Sequence, residues 1–181
     1  MSTTGGYFVI VSITMRHRSF LLVVVAALII CNLQMVAEAG TNISQTIQGF
    51  VVPQNEARKQ VGVPPLKWDV KLATYARVYA RERRGDCLLQ HSNGPFGENI
   101  FWGSGKGWNA TEAVGAWVDE KKWYNYANNS CISGQDCTHY TQIVWRTTTK
   151  VGCAVIKCNS GDTFITCNYY PPGNYVGERP Y

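Results

Sequence analysis

Six cysteines spread over residues 87–167 restrict the fold of this 181-residue chain more than any other feature of its sequence. An even set of cysteines in a small exported domain is typical of a disulfide framework, whereas a cytosolic chain keeps its thiols reduced. The six are Cys87, Cys131, Cys137, Cys153, Cys158 and Cys167, and a seventh, Cys31, lies in an apolar N-terminal segment. Their pairing therefore depends on whether the chain is exported.

The first forty residues have the pattern of a secretory signal. Twelve apolar residues in a row, Phe20–Cys31, are fewer than the roughly 20 that span a bilayer. A basic stretch at residues 16–18 precedes them, and Ala37-Glu38-Ala39 presents the small residues of a signal peptidase site. We predict that residues 1–39 are a cleaved signal peptide and that residues 40–181 form a single domain. An uncut signal anchor is the alternative.

The charge distribution argues against a nucleic-acid partner. The formal net charge is +5, but the basic residues are scattered, apart from a cluster at residues 81–84. A nucleic-acid-binding domain has a basic face or stripe instead. We therefore expect no nucleic-acid partner. For the oligomeric state, a monomer is the default expectation. Three Asn-X-Ser/Thr sequons fit export and predict glycosylation at Asn42, Asn109 and Asn128.

Two helices are predicted in the first half of the exported part. One covers residues 44–61, with Pro53 starting or kinking a turn within it. Asp69 is a favoured N-cap for the next helix, and Gly85 marks its end. Residues 91–107 are rich in Gly, Ser, Asn and aromatic residues, so we expect them to be mostly irregular.

A third helix is predicted after Asn109, because Asn109 and Glu112 have the spacing of a capping box. Trp117 lies on the apolar stripe of this helix, and Glu120 follows three residues later on the same side. A carboxylate on an inner face is costly unless it is paired. Glu120 therefore needs a partner.

The C-terminal third predicts a β-hairpin. Two strand-like runs, VGCAVIKC and TFITCNYY, flank the turn residues NSGD at 159–162. A three-residue loop centred on Ser160, with Gly161 in the left-handed position, places Cys153 opposite Cys167. The turn chemistry and the cysteine spacing thus predict the same register.

The remaining cysteines follow from this register. Cys158 is five residues from Cys153, so it points to the other face of the sheet. Cys131 and Cys137 are near enough to close a small loop, which leaves Cys87 for Cys158. Of the fifteen connectivities that six cysteines allow, we predict 87–158, 131–137 and 153–167.

Two histidines remain after export, and two glutamates accompany them. His91, Glu98, Glu120 and His139 could bind zinc or another divalent ion through imidazole nitrogen and carboxylate oxygen. They could equally be buried polar groups that satisfy one another. The HExxH and GxSxG motifs of hydrolases are not in the sequence.

Several motifs resemble the CAP superfamily (cysteine-rich secretory proteins, antigen 5 and pathogenesis-related 1). They are GENI, THYTQIVWRTT and FITCNYYPPGNYVGERPY, and the six-cysteine layout is most similar to the plant pathogenesis-related proteins of group 1. The resemblance implies an α+β fold, an α-β-α sandwich with a central antiparallel sheet and helices on both faces. It also implies a cleft that holds His91, Glu98, Glu120 and His139 together, with zinc bound in some members.

The chain departs from this family at two places. Thr138 stands before the signature histidine, where the family has Gly, Asp, Glu or Arg, and Gln54-Asn55 replaces a His-Asn pair. We expect the second change to remove a polar contact near the cleft. Neither change affects the two histidines and two glutamates.

The resemblance also implies a function. A loop rich in aromatic residues, here Trp123, Tyr124 and Tyr126, binds sterol or related lipid in this family, and planar rings suit a flat apolar ligand. The leading hypothesis is a secreted plant-type defence protein that takes sterol or lipid from a microbial membrane surface. It would be located in the extracellular apoplast, with the vacuole as the alternative.

Two other hypotheses remain open. The chain could be a metal-dependent hydrolase in which His91 and His139 hold the ion and Glu98 or Glu120 is the general base. It could also be the precursor of a defence-signalling peptide, because residues 171–181 resemble a segment that some plant members release. We expect binding rather than catalysis.

Overall fold

The structure of the chain is a computed structural model that describes residues 6–181, with side-chain surroundings from Phe20 onward. The chain divides into two compact units, Met1–Ser44 and Gln45–Tyr181. Helix α1, Gly6–Gln60, begins in the first unit and ends in the second. Among the described residues, the part of this helix from Phe20 to Gln60 is long and apolar enough to cross a membrane, a property that signal sequences share. Cleavage after Ala39 stays a prediction.

A four-stranded sheet is the centre of the second unit, with strand order β1-β5-β6-β2. Strand β5 (Lys150–Lys157) is antiparallel to β6 (Thr163–Tyr170), and β6 is antiparallel to β2 (Gly97–Gly103). The two-residue strand β1 (Lys67–Trp68) runs parallel to β5. The predicted antiparallel sheet is therefore confirmed for its three long strands. A separate ribbon pairs β3 (Tyr124–Asn125) with β4 (Ser130–Cys131).

The predicted hairpin register is confirmed. Cys153 is the partner of Cys167, and the N–H of Cys158 donates to the carbonyl of Asp162 at 2.9 Å, which leaves a three-residue loop. Gly161 has φ +95°, a conformation that a residue with a side chain rarely adopts. Turn chemistry thus determines which side chains of the two strands face each other.

The expectation that residues 91–107 are mostly irregular is wrong for Gly97–Gly103, which form strand β2. This strand pairs with β6 along its whole length, from Gly97 opposite Tyr169 to Gly103 opposite Thr163. Ile100 is buried on one face of the strand and Phe101 is half-buried on the other. The sequence therefore lacks the alternation of apolar and polar residues that identifies a strand with one exposed face. Pairing with a neighbouring strand, rather than local preference, makes this segment extended.

The helices begin largely where their caps predict. In α2 (Val70–Glu82), the Asp69 carboxylate accepts from the backbone N–H of Lys71 and Leu72. This helix ends before Gly85, at Glu82, so Gly85 is not its terminator. Pro53 lies inside α1.

The third helix, α3 (Ala110–Asp119), has the predicted capping box between Asn109 and Glu112. A 3₁₀ turn, Glu120–Trp123, continues α3, and a short helix, α4 (Thr138–Ile143), follows the β3–β4 ribbon.

Helices cover both faces of the sheet, which confirms the α-β-α sandwich. On one face, Tyr79 and Ala80 of α2 pack against Phe164 of β6. The approach is close, since a Cβ on Gly152 of β5 would lie 2.1 Å from the backbone nitrogen of Ala73. On the other face, residues of α1, α3 and α4 pack against β5 and β6, among them Phe50, Val114, Ile143, Val151 and Ile165.

The three predicted disulfides are present: Cys87–Cys158, Cys131–Cys137 and Cys153–Cys167. The first ties the segment after α2 to the tip of the hairpin. The second closes the loop that precedes α4, and the third joins the two central strands. Each bridge therefore limits a different part of the chain in the unfolded state.

A buried cation, which the sequence analysis did not single out, holds the end of α1 to the segment between α4 and β5. Arg58 is 0% exposed. Its guanidinium donates to the backbone carbonyls of Ile143, Trp145 and Thr148, each at 2.8 Å, and to that of Pro64. Desolvation by burial lowers the pKa of Arg58 to about 10, which leaves it charged at neutral pH.

We expect Arg58→Met to lower the free energy of unfolding by about 3 kcal/mol or more, because it strands buried carbonyls that accept from a charged donor. Urea unfolding followed by tryptophan fluorescence would measure it. Arg81→Met is the control, since Arg81 is exposed on α2 and should change stability by less than about 0.5 kcal/mol. Equal stability of the two variants would contradict the role given to Arg58.

Candidate functional site

Glu120 has the partner that its inward position requires. Its side chain is reached by α4, and the residue is 8% exposed. Oε1 lies 2.7 Å from Nδ1 of His139, and Oε2 accepts from the backbone N–H of His139 at 3.1 Å and of Tyr140 at 3.3 Å. The His139 ring stacks on Trp117, with 6.0 Å between centroids and 13° between planes. This carboxylate therefore orients both the imidazole and the first turn of α4.

His91 and Glu98 form a second pair of the same kind. Glu98 Oε1 lies 2.8 Å from Nδ1 of His91 and accepts from the backbone N–H of Ser92 at 2.9 Å. Glu98 Oε2 accepts from Asn168 Nδ2 at 3.3 Å. The His91 side chain is 55% exposed, while that of Glu98 is 6% exposed. The carboxylate is thus fixed, and the imidazole borders solvent.

The electrostatics of this pair favour its charged form. The hydrogen bond that His91 donates to Glu98 is the main cause that raises the pKa of His91 above its ordinary value. Burial alone would raise the pKa of Glu98, but hydrogen bonds from His91, Ser92 and Asn168 together lower it. Both shifts widen the pH range in which His91 is an imidazolium and Glu98 a carboxylate.

A buried chain of hydrogen bonds links strand β2 to the backbone of His139 and to helix α1. Asn99, next to Glu98 in β2, donates to the backbone carbonyl of His139 at 3.0 Å and to the Tyr169 hydroxyl at 3.2 Å. That hydroxyl donates to Gln54 Oε1 at 2.9 Å. The expectation that Gln54 costs a polar contact near the cleft is therefore wrong, because its amide is long enough to reach Tyr169.

The four predicted residues thus form two carboxylate–imidazole pairs. In each pair Nδ1 meets the glutamate, so Nε2 is the nitrogen left to bind a metal, as in carboxylate–histidine–zinc arrangements. Among the residues that the structure describes, Glu120, Asp136 and His139 have ligand-type atoms within 4.8 Å of one another. His91 and Glu98 lie outside this set. Imidazole and carboxylate groups of this kind fit zinc.

Asp136 is the site residue that sequence reasoning missed. The Cys131–Cys137 bridge precedes α4 and brings this carboxylate beside His139. Its Oδ1 accepts from the Thr138 backbone N–H at 2.8 Å and from the Thr138 hydroxyl at 2.6 Å. The departure at Thr138 therefore provides a bond that orients Asp136. An acidic residue two positions before a helical threonine is the signal that could have identified it.

The aromatic residues predicted to bind lipid differ in their exposure. Trp123 is half-buried, and the Lys122 ammonium lies 4.6 Å from the centroid of its ring. Tyr124 packs against buried Tyr140, with 6.1 Å between centroids. Tyr126 is 47% exposed. Lipid binding by these residues stays a prediction, as does glycosylation of the exposed residues Asn42, Asn109 and Asn128.

A cavity of about 260 Å³ adjoins the His91–Glu98 pair. His91 and Glu98 line one side of it, and Gln142 of α4 with Gly173 and Asn174 line the other. Asn174 also accepts from the Thr141 hydroxyl at 2.7 Å and donates to the Thr138 carbonyl at 2.8 Å. The segment after β6 is therefore a wall of the cleft.

Comparison with known proteins gives consistent matches over the second compact unit. The profile of the cysteine-rich secretory protein family, CAP, matches residues 53–169. Pathogenesis-related protein PR-1 of Medicago truncatula is 65% identical over 133 residues, 73% of this chain and 77% of that protein. Pathogenesis-related protein PRMS of Zea mays is 57% identical over 136 residues, 74% of this chain and 81% of that protein. The crystal structure of Na-ASP-1 has a TM-score of 0.65 at 28% identity, and the match covers 74% of this chain and 40% of that chain.

We expect Glu98→Gln to move the pKa of His91 down toward 6.5, because the substitution removes the negative charge and leaves only a weaker, neutral amide acceptor for the imidazole. NMR titration of the histidine ring protons in the presence of a chelator would measure the change. Glu112→Gln, in the distant capping box, should leave His91 unchanged. An unchanged His91 pKa in Glu98→Gln would contradict the pairing.

The same pair predicts a sign for stability against pH. Since the folded-state pKa of His91 is raised, its contribution is fully present below the unfolded value and is lost as pH rises through the folded value. We therefore expect the stability difference between the parent chain and His91→Gln to shrink as pH rises from 6.5, measured by urea unfolding.

Proposed function

The chain belongs to the cysteine-rich secretory protein (CAP) family, and we propose that it is a secreted plant-type defence protein of the pathogenesis-related 1 kind. The apolar N-terminal helix and the three disulfides support export, because disulfides persist in oxidising compartments. The names of the plant relatives support the defence role. The proposed location is the apoplast, with the vacuole as the alternative.

We propose that the protein acts by binding sterol or a related lipid through its aromatic loop, residues 123–129. The observation that carries this proposal is a row of planar rings on a loop fixed at both ends. The 3₁₀ turn Glu120–Trp123 leads into the loop, and the β3–β4 ribbon and the Cys131–Cys137 bridge follow it. A rigid loop loses little entropy on binding, which favours a rigid flat ligand.

Charge near the loop supports a membrane surface as the partner. Lys121 and Lys122 are exposed and directly precede Trp123. Lysines beside an anionic lipid surface each contribute about 1 kcal/mol of attraction. The loop would meet a microbial membrane with its rings and its ammonium groups together, as a monomer.

A metal-dependent hydrolase is the second candidate, favoured by two imidazoles that are each oriented by a glutamate. His91, His139 and Asp136 would hold zinc or another divalent ion, which would supply Lewis-acid chemistry when bound. The glutamates are poorly placed to be a general base, however. Both Glu120 oxygens and both Glu98 oxygens already accept hydrogen bonds within the site. Binding is therefore the better supported function.

The third candidate, a peptide precursor, would require release of residues 171–181. Tyr170 is exposed, so the preceding side of the junction is accessible. The segment beyond it is held by several hydrogen bonds, including Gly173 N–H to Gln142 Oε1 at 3.0 Å and Thr148 hydroxyl to Pro171 carbonyl at 2.9 Å. Cleavage alone would leave these contacts in place.

We expect Trp123→Ala and Tyr126→Ala each to lower capture of ergosterol from phosphatidylcholine vesicles by about threefold or more, since a lost aromatic face costs about 1 kcal/mol. Co-sedimentation of the secreted full chain with ergosterol-containing and ergosterol-free vesicles would measure it. Trp102→Ala is the control, because Trp102 is an exposed ring on β2, away from the loop.

His91→Ala and added chelator separate binding from catalysis. Under the binding proposal neither changes ergosterol capture. If both instead abolish turnover of an ester or peptide substrate while Trp123→Ala keeps it, the hydrolase is the correct function and the lipid proposal fails.

A further inference from the structure

The last residues of the chain lie on the aromatic loop. The Tyr181 ring stacks on Tyr126, with 4.9 Å between centroids and 15° between planes. It also meets Tyr124 edge-on at 6.3 Å. The Tyr126 hydroxyl donates to the Tyr181 carbonyl at 2.8 Å. One face of the most exposed ring of the loop is therefore covered by another residue of the chain.

Arg179 and the backbone of Pro180 make further polar contacts next to this stack. The Arg179 guanidinium lies 5.2 Å from the centroid of Tyr126 and donates to the backbone carbonyls of Tyr126 and Ala127. Pro180 is buried, and its carbonyl accepts from the Arg146 N–H at 2.7 Å. The Tyr181 ring, the Arg179 guanidinium and the Pro180 carbonyl thus each contact a different part of the surface. A bound peptide makes contacts of the same kinds.

The contact is separated from the anchored start of the C-terminal segment by exposed residues. Val176 is 103% exposed, and Tyr175 is also exposed. Beyond them the chain returns to the domain, where Asn129 Nδ2 donates to the Glu178 carbonyl at 2.9 Å. A cavity of about 170 Å³ remains under this bend, between the loop and residues 174–180. Residues 179–181 therefore bind the loop through their own contacts.

We propose that the aromatic loop is a binding site for a peptide segment of Arg-Pro-Tyr chemistry, occupied in this chain by residues 179–181. The segment covers the Tyr126 face that a flat apolar ligand would need, so peptide and lipid compete for it. The competition rests on the function proposed above, whereas the peptide site rests on the contacts alone.

Tethering makes even a weak contact effective. A short connection gives an effective concentration in the millimolar range, so a segment whose dissociation constant as a free peptide is about 0.1 mM is about 90% bound when attached. An external ligand can bind only the molecules in which the segment has left the loop, so its apparent dissociation constant rises in inverse proportion to their fraction. Loosening the segment should raise lipid capture without any new contact.

The first experiment compares the secreted full chain with Tyr181→Ala. This substitution removes the stacked ring but keeps the Pro180 anchor and the chain length. We expect ergosterol capture from phosphatidylcholine vesicles to rise about threefold or more. Tyr175→Ala is the matched control, because Tyr175 lies in the same segment but its ring packs on Trp145 rather than on a ring of the loop. Equal capture by the parent chain and Tyr181→Ala, with capture by the parent measurable, would overturn the competition.

The second experiment tests the peptide site without any lipid. A synthetic peptide of residues 174–181 is titrated by calorimetry into a chain that ends at Glu178 and, in parallel, into the full-length Arg179→Ala, Tyr181→Ala double variant. We expect saturable binding to both, at least tenfold weaker for a peptide carrying Tyr181→Ala. The double variant keeps the test informative if the shorter chain does not fold. Failure of the peptide to bind either chain overturns the peptide site.

The two proposals fail in different ways. If the peptide binds but no chain captures ergosterol, the peptide site stands and the lipid function falls. If ergosterol is captured and excess peptide does not reduce capture by the chain ending at Glu178, the competition is overturned.

Discussion

A buried guanidinium that donates to backbone carbonyls holds helix α1 against the segment that follows α4, next to the candidate site. Arg58 joins the end of α1 to the chain between Ile143 and Thr148, directly after the helix that carries His139. A charge in the interior is tolerated only when its hydrogen bonds are satisfied, so the carbonyls have little freedom to move. Arg58 thus anchors the C-terminal end of α4, while the Glu120 carboxylate holds its first turn.

The same arrangement of a glutamate and a histidine occurs twice in the domain. In each pair a largely buried glutamate holds Nδ1 of a histidine and also accepts from backbone N–H groups of the histidine's own segment. The pairs come from different parts of the sandwich, yet β2 connects them, because Glu98 and Asn99 are neighbours that point to opposite faces. Glu98 meets His91, and Asn99 meets the backbone of His139. Both imidazoles are therefore oriented by groups of the protein itself.

Local chemistry and long-range packing divide what the sequence could predict. The hairpin register, the capping box and the inward carboxylate of Glu120 were predictable because turn residues, cap residues and helical spacing act within a few positions. The family resemblance gave the sandwich itself. Strand β2, the carbonyl cluster around Arg58 and the approach of Asp136 to His139 were not predictable, because each depends on segments far apart in the chain. The covering of Tyr126 by Tyr181 belongs to the same group, since 55 residues separate the two rings.

The hydroxyl of Tyr169 has a consequence for how this sequence can vary. It accepts from Asn99 and donates to Gln54, so a single proton position satisfies three buried side chains. A side chain at position 54 that can only donate would point its N–H at the O–H of Tyr169. An apolar side chain would leave that O–H buried without an acceptor. Substitutions at 54, 99 and 169 are therefore coupled. A lineage could exchange the glutamine for another acceptor of similar reach, but it could lose the acceptor only by replacing the tyrosine as well.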